Sequence, residues 1–248
     1  MRVIGVIQAR FASERLPGKV LAPLVGTPIL SVLVHRLSDA PLDELWLATS
    51  TAPADDLIAL WGASLGLHTF RGSEHDVLSR FSSIVRGVEA DWVARFTADD
   101  PFVDRDVVEA LVRQASVSSP RVSVIGELAQ TRRLPLGYVP EIARGSAILR
   151  AESEVPSDQP HHRAHVLSWL YKTDEAVQLA TPDRWPARPQ WRWTVDTPLD
   201  LEMADRCFRL FGDDWRRLTY PEMVRILDAA PEVAQLNAHE RQKDETEG

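Results

Sequence analysis

"RVIGVIQARFASERLPGKVL", residues 2–21, decides how the rest of the chain is read. Residues 3–7 are apolar and mostly β-branched, with no polar alternation. That is the pattern of a strand covered on both faces of a parallel sheet. The stretch then turns polar at Gln8 and gathers Arg10, Arg15 and Lys19, with Glu14 among them and a Pro17-Gly18 turn. In an open α/β sheet, ligands bind beyond the carboxyl ends of the strands. Gln8, Ala9 and the basic loop therefore stand at a candidate phosphate site, where backbone amides, a helix start and cations all favour an anion. Of 28 basic residues only Lys19, Lys172 and Lys243 are lysines, and a compact ammonium suits a phosphate as a point charge. The loop is neither GxxxxGK[ST] nor GxGxxG. A solvated basic loop is the alternative reading of the same residues.

Outward from this loop, periodicity alternates between strand and helix. "TPILSVLVHRL" (27–37) reads as a helix with Thr27 as N-cap and Pro28 at its first position. "ELWLATS" (44–50) reads as a strand, "APADDLIALWGASLG" (52–66) as a helix ending at Gly66, and "HDVLSRFSSIVRGV" (75–88) as another helix. "DWVARFT" (91–97) is a strand and "DRDVVEALVRQA" (104–115) a helix with acids in its first turn. This alternation predicts βαβ units and a parallel sheet. From 126 to 190 Pro-rich and polar stretches surround short helices, which predicts a lobe or insertion. A strand "QWRWTV" (190–195) and a helix "TPLDLEMADRCFRLF" (197–211) follow, then short helices near 220–228 and 231–237. One domain over 1–237 with a flexible charged tail, 238–248, is the expected organisation.

Composition narrows the function. The chain has 248 residues, enough for one large core, with 44% hydrophobic and 26% charged residues. Its formal net charge of -8 argues against nucleic-acid binding driven by overall charge. The single cysteine, Cys207, allows neither an internal disulfide nor a CxxC site, and reads as a small buried apolar residue. No apolar run reaches the length of a membrane span, and the N-terminal one is too short for a signal peptide. A cytoplasmic protein without membrane or nucleic-acid partners is expected.

Acids recur at strand ends. "RFTADDP" (95–101) places Asp99 and Asp100 after a strand, and "RWTVDTP" (192–198) does the same for Asp196. Two carboxylates converging from neighbouring strand ends can hold Mg²⁺, which keeps several waters and adds phosphates as ligands. Helix capping is the rival role, although Thr197 is the more natural cap for the following helix. "RGSEHDVLSRF" (71–81) is either an acidic helix start or a polar turn that reads a base or ribose. "HHRAHV" (161–166) does not space its histidines as a zinc site. It offers Arg163 and His165 as a polar wall for an acidic substrate, or a plain surface helix. Trp191 and Trp193 share one face of their segment and read as core.

Taken together these segments carry a resemblance. "IQARFASERLPGKVL" (7–21) is similar to the opening of the cytidylyltransferase family that includes CMP-Kdo synthetases and spore-coat polysaccharide biosynthesis proteins, which runs like ARxxSxRLPGKxL. "RGSEHDVLSRF", "RFTADDPFVD", "PLGYVPEI", "HHRAHV" and "RWTVDTPLDLE" match the spore-coat branch in order. The resemblance implies a Rossmann-like, glycosyltransferase-A-type α/β nucleotidyltransferase with a mixed, mostly parallel sheet. It implies transfer of CMP from CTP to a sugar acid, with release of pyrophosphate and with Mg²⁺. Arg10, Ser13, Arg15 and Lys19 match the triphosphate loop, and Asp99 and Asp196 the metal aspartates. Arg10, Lys19, Asp99 and Asp196 are then the catalytic set. Ser73 and Asp76 match the turn beside the nucleotide, and Gln8, Ala9, Ser50 and Thr97 complete the nucleotide-facing strand ends. Glu141, Arg163 and His165 fall on the acceptor side. Residues 126–190 are where the family often forms a homodimer. Two departures stand out: Ala12-Ser13-Glu14 replaces the branch's Gly-Ser-Thr, and Arg163-Ala164-His165 replaces Arg-Glu-His. They motivate a nucleotide-sensing protein as one alternative; a sugar 1-phosphate pyrophosphorylase is the other.

Overall fold

β1 (Val3–Gln8) runs through the middle of the molecule. Val3 and Ile7 face one core and Ile4 and Val6 the other, which is why the strand is apolar throughout. The computed structural model describes residues 1–172 and 176–242. After β1 come a small hairpin, β2 (Pro23–Leu24) and β3 (Thr27–Pro28), then α1 (Ile29–Arg36), β4 (Glu44–Ser50), α2 (Asp56–Ser64) and β5 (His68–Gly72). α3 (Val77–Val88), β6 (Trp92–Thr97), α4 (Arg105–Val117) and β7 (Val124–Gly126) follow. The second half contains β8 (Glu141–Arg144), α5 (Gly145–Glu154), α6 (His161–Ala164), β9 (Ala176–Gln178), α7 (Pro198–Phe211), α8 (Tyr220–Asp228) and α9 (Pro231–Ala234).

Seven strands form one sheet in the order β5-β4-β1-β6-β8-β7-β9. The first four are parallel; β8 runs antiparallel to both β6 and β7, and β9 is parallel to β7. The sheet is therefore mixed and mostly parallel, with helices on both faces. α3 and α5 cover the Ile4/Val6 face, while α1, α4, α7 and α8 cover the other. The chain leaves β1 toward β4 and β5, then returns to build on the other side at β6. That reversal is the point at which such sheets bind ligands. Register puts Gln8 level with both Ala48 and Thr97, so the loops after β1 and β6 start side by side. Among the described residues no helix is long and apolar enough to cross a membrane.

Four expectations need correction. Thr27 is not the N-cap of α1 nor Pro28 its first helical residue: they pair with Pro23 and Leu24 across a turn in which Val25 and Gly26 take positive φ, and Pro28 itself stands at the N-cap position. The helix therefore starts at Ile29, whose N–H is already used by the Ala22 carbonyl at 3.0 Å. Secondly, "QWRWTV" is not a strand. Its ladder contact is one isolated bridge between Leu136 and Arg192, because β8 already occupies the free edge of β6. The segment is held by a few backbone bonds, such as Val195 N–H to the Asp99 carbonyl at 2.9 Å, and by packing: Trp193 stacks on Phe102 at 4.7 Å and meets Tyr138 edge-on at 5.6 Å. Thirdly, α3 begins at Val77, with Asp76 as its N-cap. Finally, β5 is a strand that the periodicity did not mark; with His68 exposed and Arg71 half-buried, it is an edge. The remaining early elements fall where the alternation puts them, β4 and β6 to within a residue. Within 126–190 the chain adds β8 and β9 to the same sheet. Of the charged end, 243–248 lie outside the described residues, while Arg241 and Gln242 contact Arg15 and Arg192.

Candidate active site

The basic loop is closed at its base by its own backbone. The Phe11 carbonyl accepts from the N–H of Ser13 and of Gly18, both at 2.9 Å. Gly18 has φ of 71°, and a Cβ there would lie 2.8 Å from the Phe11 ring, so the turn requires glycine. The loop's entrance is fixed from outside. Asp55, buried at the head of α2, accepts from the Phe11 N–H at 2.6 Å through Oδ1 and from the Ser50 N–H at 3.2 Å through Oδ2. A short helical turn at Lys19–Leu21 then aims Lys19 back beneath the loop.

The Lys19 ammonium sits between two carboxylates. Its Nζ donates to Asp99 Oδ2 and, at 2.7 Å, to Asp196 Oδ1. Arg15 Nη2 lies 3.1 Å from Asp196 Oδ2. Burial works against the ammonium, but Asp99 and Asp196 outweigh it and raise the Lys19 pKa. Burial also opposes the Asp196 carboxylate, and Lys19, Arg192 and Arg15 together hold its pKa below the ordinary value. Neighbouring Asp100 is half-buried; desolvation and the charge of Asp99 push its pKa up to about 7. These groups lie at one end of an open cavity of about 730 Å³, lined by Gln8, Ala9, Arg10, Ser13, Glu14, Arg15, Arg80, Thr97 and Asp99 on one side. Glu127, Gly137, Glu141, His161, His165 and Thr194 line the other.

The residues fit a divalent cation. A positive centre, the Lys19 ammonium, already marks the point where Asp99 and Asp196 converge from two separate segments. Among the described residues no three His, Cys, Asp or Glu side chains gather into a cage. Two carboxylates leave coordination positions for water and substrate oxygens, which suits Mg²⁺ better than a cage would.

Comparison with known proteins decides the family: a family model described as "Cytidylyltransferase" matches residues 4–169. The chain belongs to the cytidylyltransferase family. It is a nucleotidyltransferase enzyme with the corresponding fold. This cytidylyltransferase is 29% identical over 240 residues to the spore coat polysaccharide biosynthesis protein SpsF of Bacillus subtilis, covering 94% of this chain and 96% of the relative. Among solved structures it is similar to a cytidylyltransferase from Leptospira borgpetersenii, with a TM-score of 0.87, 23% identity, and coverage of 98% and 100%. It shares its fold with a CMP:2-keto-3-deoxy-manno-octonic acid synthetase complexed with CTP, with a TM-score of 0.58, 20% identity, and coverage of 84% and 99%.

In this cytidylyltransferase the structure gathers Gln8, Ala9, Arg10, Ser13, Arg15, Lys19, Thr97, Asp99 and Asp196 around one cavity, with Glu141 and His165 opposite. Four other residues singled out in the sequence do not line it. Ser50 is fully buried and its hydroxyl donates to Asp55. Ser73 shapes its turn by accepting from the Asp76 N–H at 3.1 Å. Asp76 caps α3 through Oδ1 and pairs with Arg163 Nη1 at 2.9 Å through Oδ2. Arg163 also donates to the Glu152 carbonyl at 3.0 Å, so both ends of its fork are engaged in structure. Their neighbours Glu74, His75, His161 and Ala164 face the cavity in their place. Glu14 lines the mouth and is not a free carboxylate.

Sequence reasoning passed over several members of the wall. Arg80 is buried, lines the cavity and donates to the Ala48 carbonyl at 3.1 Å; burial lowers its pKa to about 10. Arg95 bridges the two walls, donating to Gln8 Oε1 at 3.0 Å and to Glu141. The available signal was a charged residue inside an otherwise apolar strand, since such a charge has to meet a partner. Asp55 had no such signal, because an acid at a helix start is common for reasons of capping alone.

Proposed function

We propose that this cytidylyltransferase transfers the CMP moiety of CTP to an acidic acceptor, a sugar acid or a compound of like charge, releasing pyrophosphate with Mg²⁺ as cofactor. The observation that carries this reading is the convergence of Asp99 and Asp196 on one cation position directly beneath the Arg10–Lys19 loop. The loop's cations bind the triphosphate, and Arg10 and Lys19 stabilise the charge that develops as the α-phosphate is attacked and pyrophosphate leaves. Gln8, Ala9 and Thr97, at the strand ends, orient the nucleotide. Mg²⁺ held by Asp99 and Asp196 would neutralise phosphate charge and help align the acceptor oxygen. Little bond-making falls to side chains, and positioning supplies most of the rate.

The acceptor wall supports an acidic substrate despite its two glutamates. Glu141 is paired with Arg95, and Glu127 accepts from the N–H of Arg133 at 2.7 Å and of Leu134 at 2.9 Å. With those acids engaged, His161 and His165 on the cavity lining carry ring nitrogens suited to an acceptor carboxylate. A homodimer formed through 126–190 belongs to the same reading, with sedimentation velocity as its measure.

The test supplies CTP, UTP, ATP or GTP with Mg²⁺, inorganic pyrophosphatase and a panel of sugar acids and sugar 1-phosphates. Phosphate release with CTP and a sugar acid is expected. Turnover restricted to sugar 1-phosphates, whose phosphate stays in the product, would replace this reading with a pyrophosphorylase. Calorimetric binding of CTP without release for any acceptor would replace it with a sensor.

A further inference from the structure

Arg192 is a buried cation in the apolar segment "WRWTV", 6% exposed, and the reaction outlined above makes no use of it. A guanidinium leaves water only when its donors are met. Its three nitrogens reach three different side chains, two around the start of α7 and one near the end of the chain. Nη2 donates to Asp196 Oδ2 at 2.6 Å, Nε to Asp200 Oδ1 at 3.0 Å and Nη1 to Gln242 Oε1 at 2.7 Å. Asp200 is wholly buried at the start of α7. Its Oδ2 accepts from the N–H of Asp196 at 2.9 Å and of Thr197 at 3.0 Å, and Asn237 Nδ2 donates to its Oδ1 at 2.7 Å. One pair, Arg192 with Asp200, therefore holds both the backbone and the side chain of Asp196.

The effect is to divide the two oxygens of Asp196. Oδ2 is tied back to Arg192, with Arg15 beside it at 3.1 Å, while Oδ1 faces the Lys19 ammonium at 2.7 Å. Oδ1 is thus the oxygen that meets Asp99 at the cation position. We propose that Arg192 is a positioning residue that, braced by Asp200, selects the carboxylate oxygen of Asp196 presented to the cation. The inference rests on the reading of Asp99 and Asp196 as Mg²⁺ ligands. A lysine at 192 would keep the charge but lose the planar fork that spans two carboxylates at once.

Arg192→Lys keeps a cation against Asp200 and is the variant that preserves the fold. Arg192→Gln is combined with Asp200→Asn, so that no buried charge is stranded. Each is compared with wild type in three measurements: Mn²⁺ binding by electron paramagnetic resonance with CTP but no acceptor, the Mg²⁺ dependence of pyrophosphate release, and thermal unfolding. Expected are a roughly tenfold or greater loss in Mn²⁺ affinity and a matching rise in the Mg²⁺ requirement, the scale usual for outer partners of metal ligands. The CTP KM at saturating Mg²⁺ stays unchanged. A lowered Tm with both metal curves at wild-type values overturns the inference, since that is what a merely structural arginine would give. Asp196→Asn separates the two levels. If it binds Mn²⁺ like wild type, the metal reading itself fails; if it loses Mn²⁺ while the Arg192 variants retain it, only the positioning role fails.

Discussion

On the β1 side of the cavity, strand register brings the site residues together: Gln8 and Thr97 are level, and Asp99 follows two residues after β6 ends. On the opposite side the ladder does less. Leu136 and Arg192 meet in an isolated bridge, Gly137 passes close to Thr194 and Asp100, and Asp196 is aimed by buried ion pairs and aromatic packing. The nucleotide wall is thus a product of regular backbone hydrogen bonding. The segment that carries Asp196 owes its place to a few isolated backbone bonds and mainly to side chains. A segment of the second kind can change residue by residue without disturbing a strand, whereas changing the first shifts a whole β-strand. That difference predicts where substitution destroys chemistry and where it merely retunes it.

The sharpest way to break the contrast is at its meeting point. Asp99→Asn removes one of the two carboxylates that converge on Lys19 while leaving β6 and its loop in place. Pyrophosphate release is expected to fall roughly 10³-fold or more, with circular dichroism and cooperative unfolding retained. Near wild-type turnover would remove Asp99 from the chemistry.

Asp55 tests whether the nucleotide wall depends on support from behind. Replacing it with alanine leaves the Phe11 and Ser50 N–H groups without their acceptor. Unmet buried donors make the expected loss about 2–4 kcal/mol by urea unfolding. The CTP KM should rise with it, because the loop entrance is no longer fixed, and Asp55→Asn should fall between the two. A stability loss with an unchanged CTP KM would show that the loop holds its shape through the Phe11 carbonyl alone.

The same contrast explains what could be read from the chain. β1 was legible because a strand buried on both faces is apolar without interruption, β4 and β6 because they are short, mostly apolar runs between helical stretches, and the loop after β1 advertised itself by charge. Asp99 and Asp196 were legible as acids at the ends of extended segments. Thr197 was legible as the cap of α7, and the fold adds Asp200 answering it as a capping box. Legibility ended where a side chain's role depends on a partner far away in sequence. Ser50 looks like a strand-end hydroxyl facing ligand, and only the fold shows Asp55 taking it. Arg163 looks like an anion receptor, and only the fold shows its fork spent on Asp76 and Glu152. "QWRWTV" has strand composition, but the slot beside β6 was filled by β8, a competition invisible within the segment itself.

Arg163 and His165 sharpen the acceptor side. Their proximity in sequence suggests one role, and the structure gives them two. Arg163→Ala should cost about 1 kcal/mol or less, the range for a partly exposed ion pair, and leave the acceptor KM unchanged. His165→Ala should raise the acceptor KM several-fold, since it lines the cavity. A raised acceptor KM in Arg163→Ala would bring its guanidinium back into the binding wall.

The smallest effect concerns His162, next to Arg163 in sequence yet turned into the core. It is 2% exposed, and its Nδ1 lies 2.7 Å from Ser168 Oγ. Burial, then the nearby His161, Lys172 and His165, lower its pKa from 6.5 to about 4. The folded form therefore resists a proton that the unfolded chain accepts. Between pH 6.5 and 4 the unfolded state binds more protons, so stability rises with pH across that window and is lost as pH falls. Glutamine at 162 can still meet Ser168 but does not titrate. Wild type should accordingly lose Tm more steeply than His162→Gln from pH 7 down to 4.5, with the two curves running parallel above pH 7. Buried carboxyls such as Asp104, whose pKa burial raises, titrate alike in both proteins and cancel from the difference. Parallel curves throughout would mean that His162 takes up its proton in place. That would move it from the side-chain-built core to the solvated surface that its sequence, "HHRAHV", first suggests.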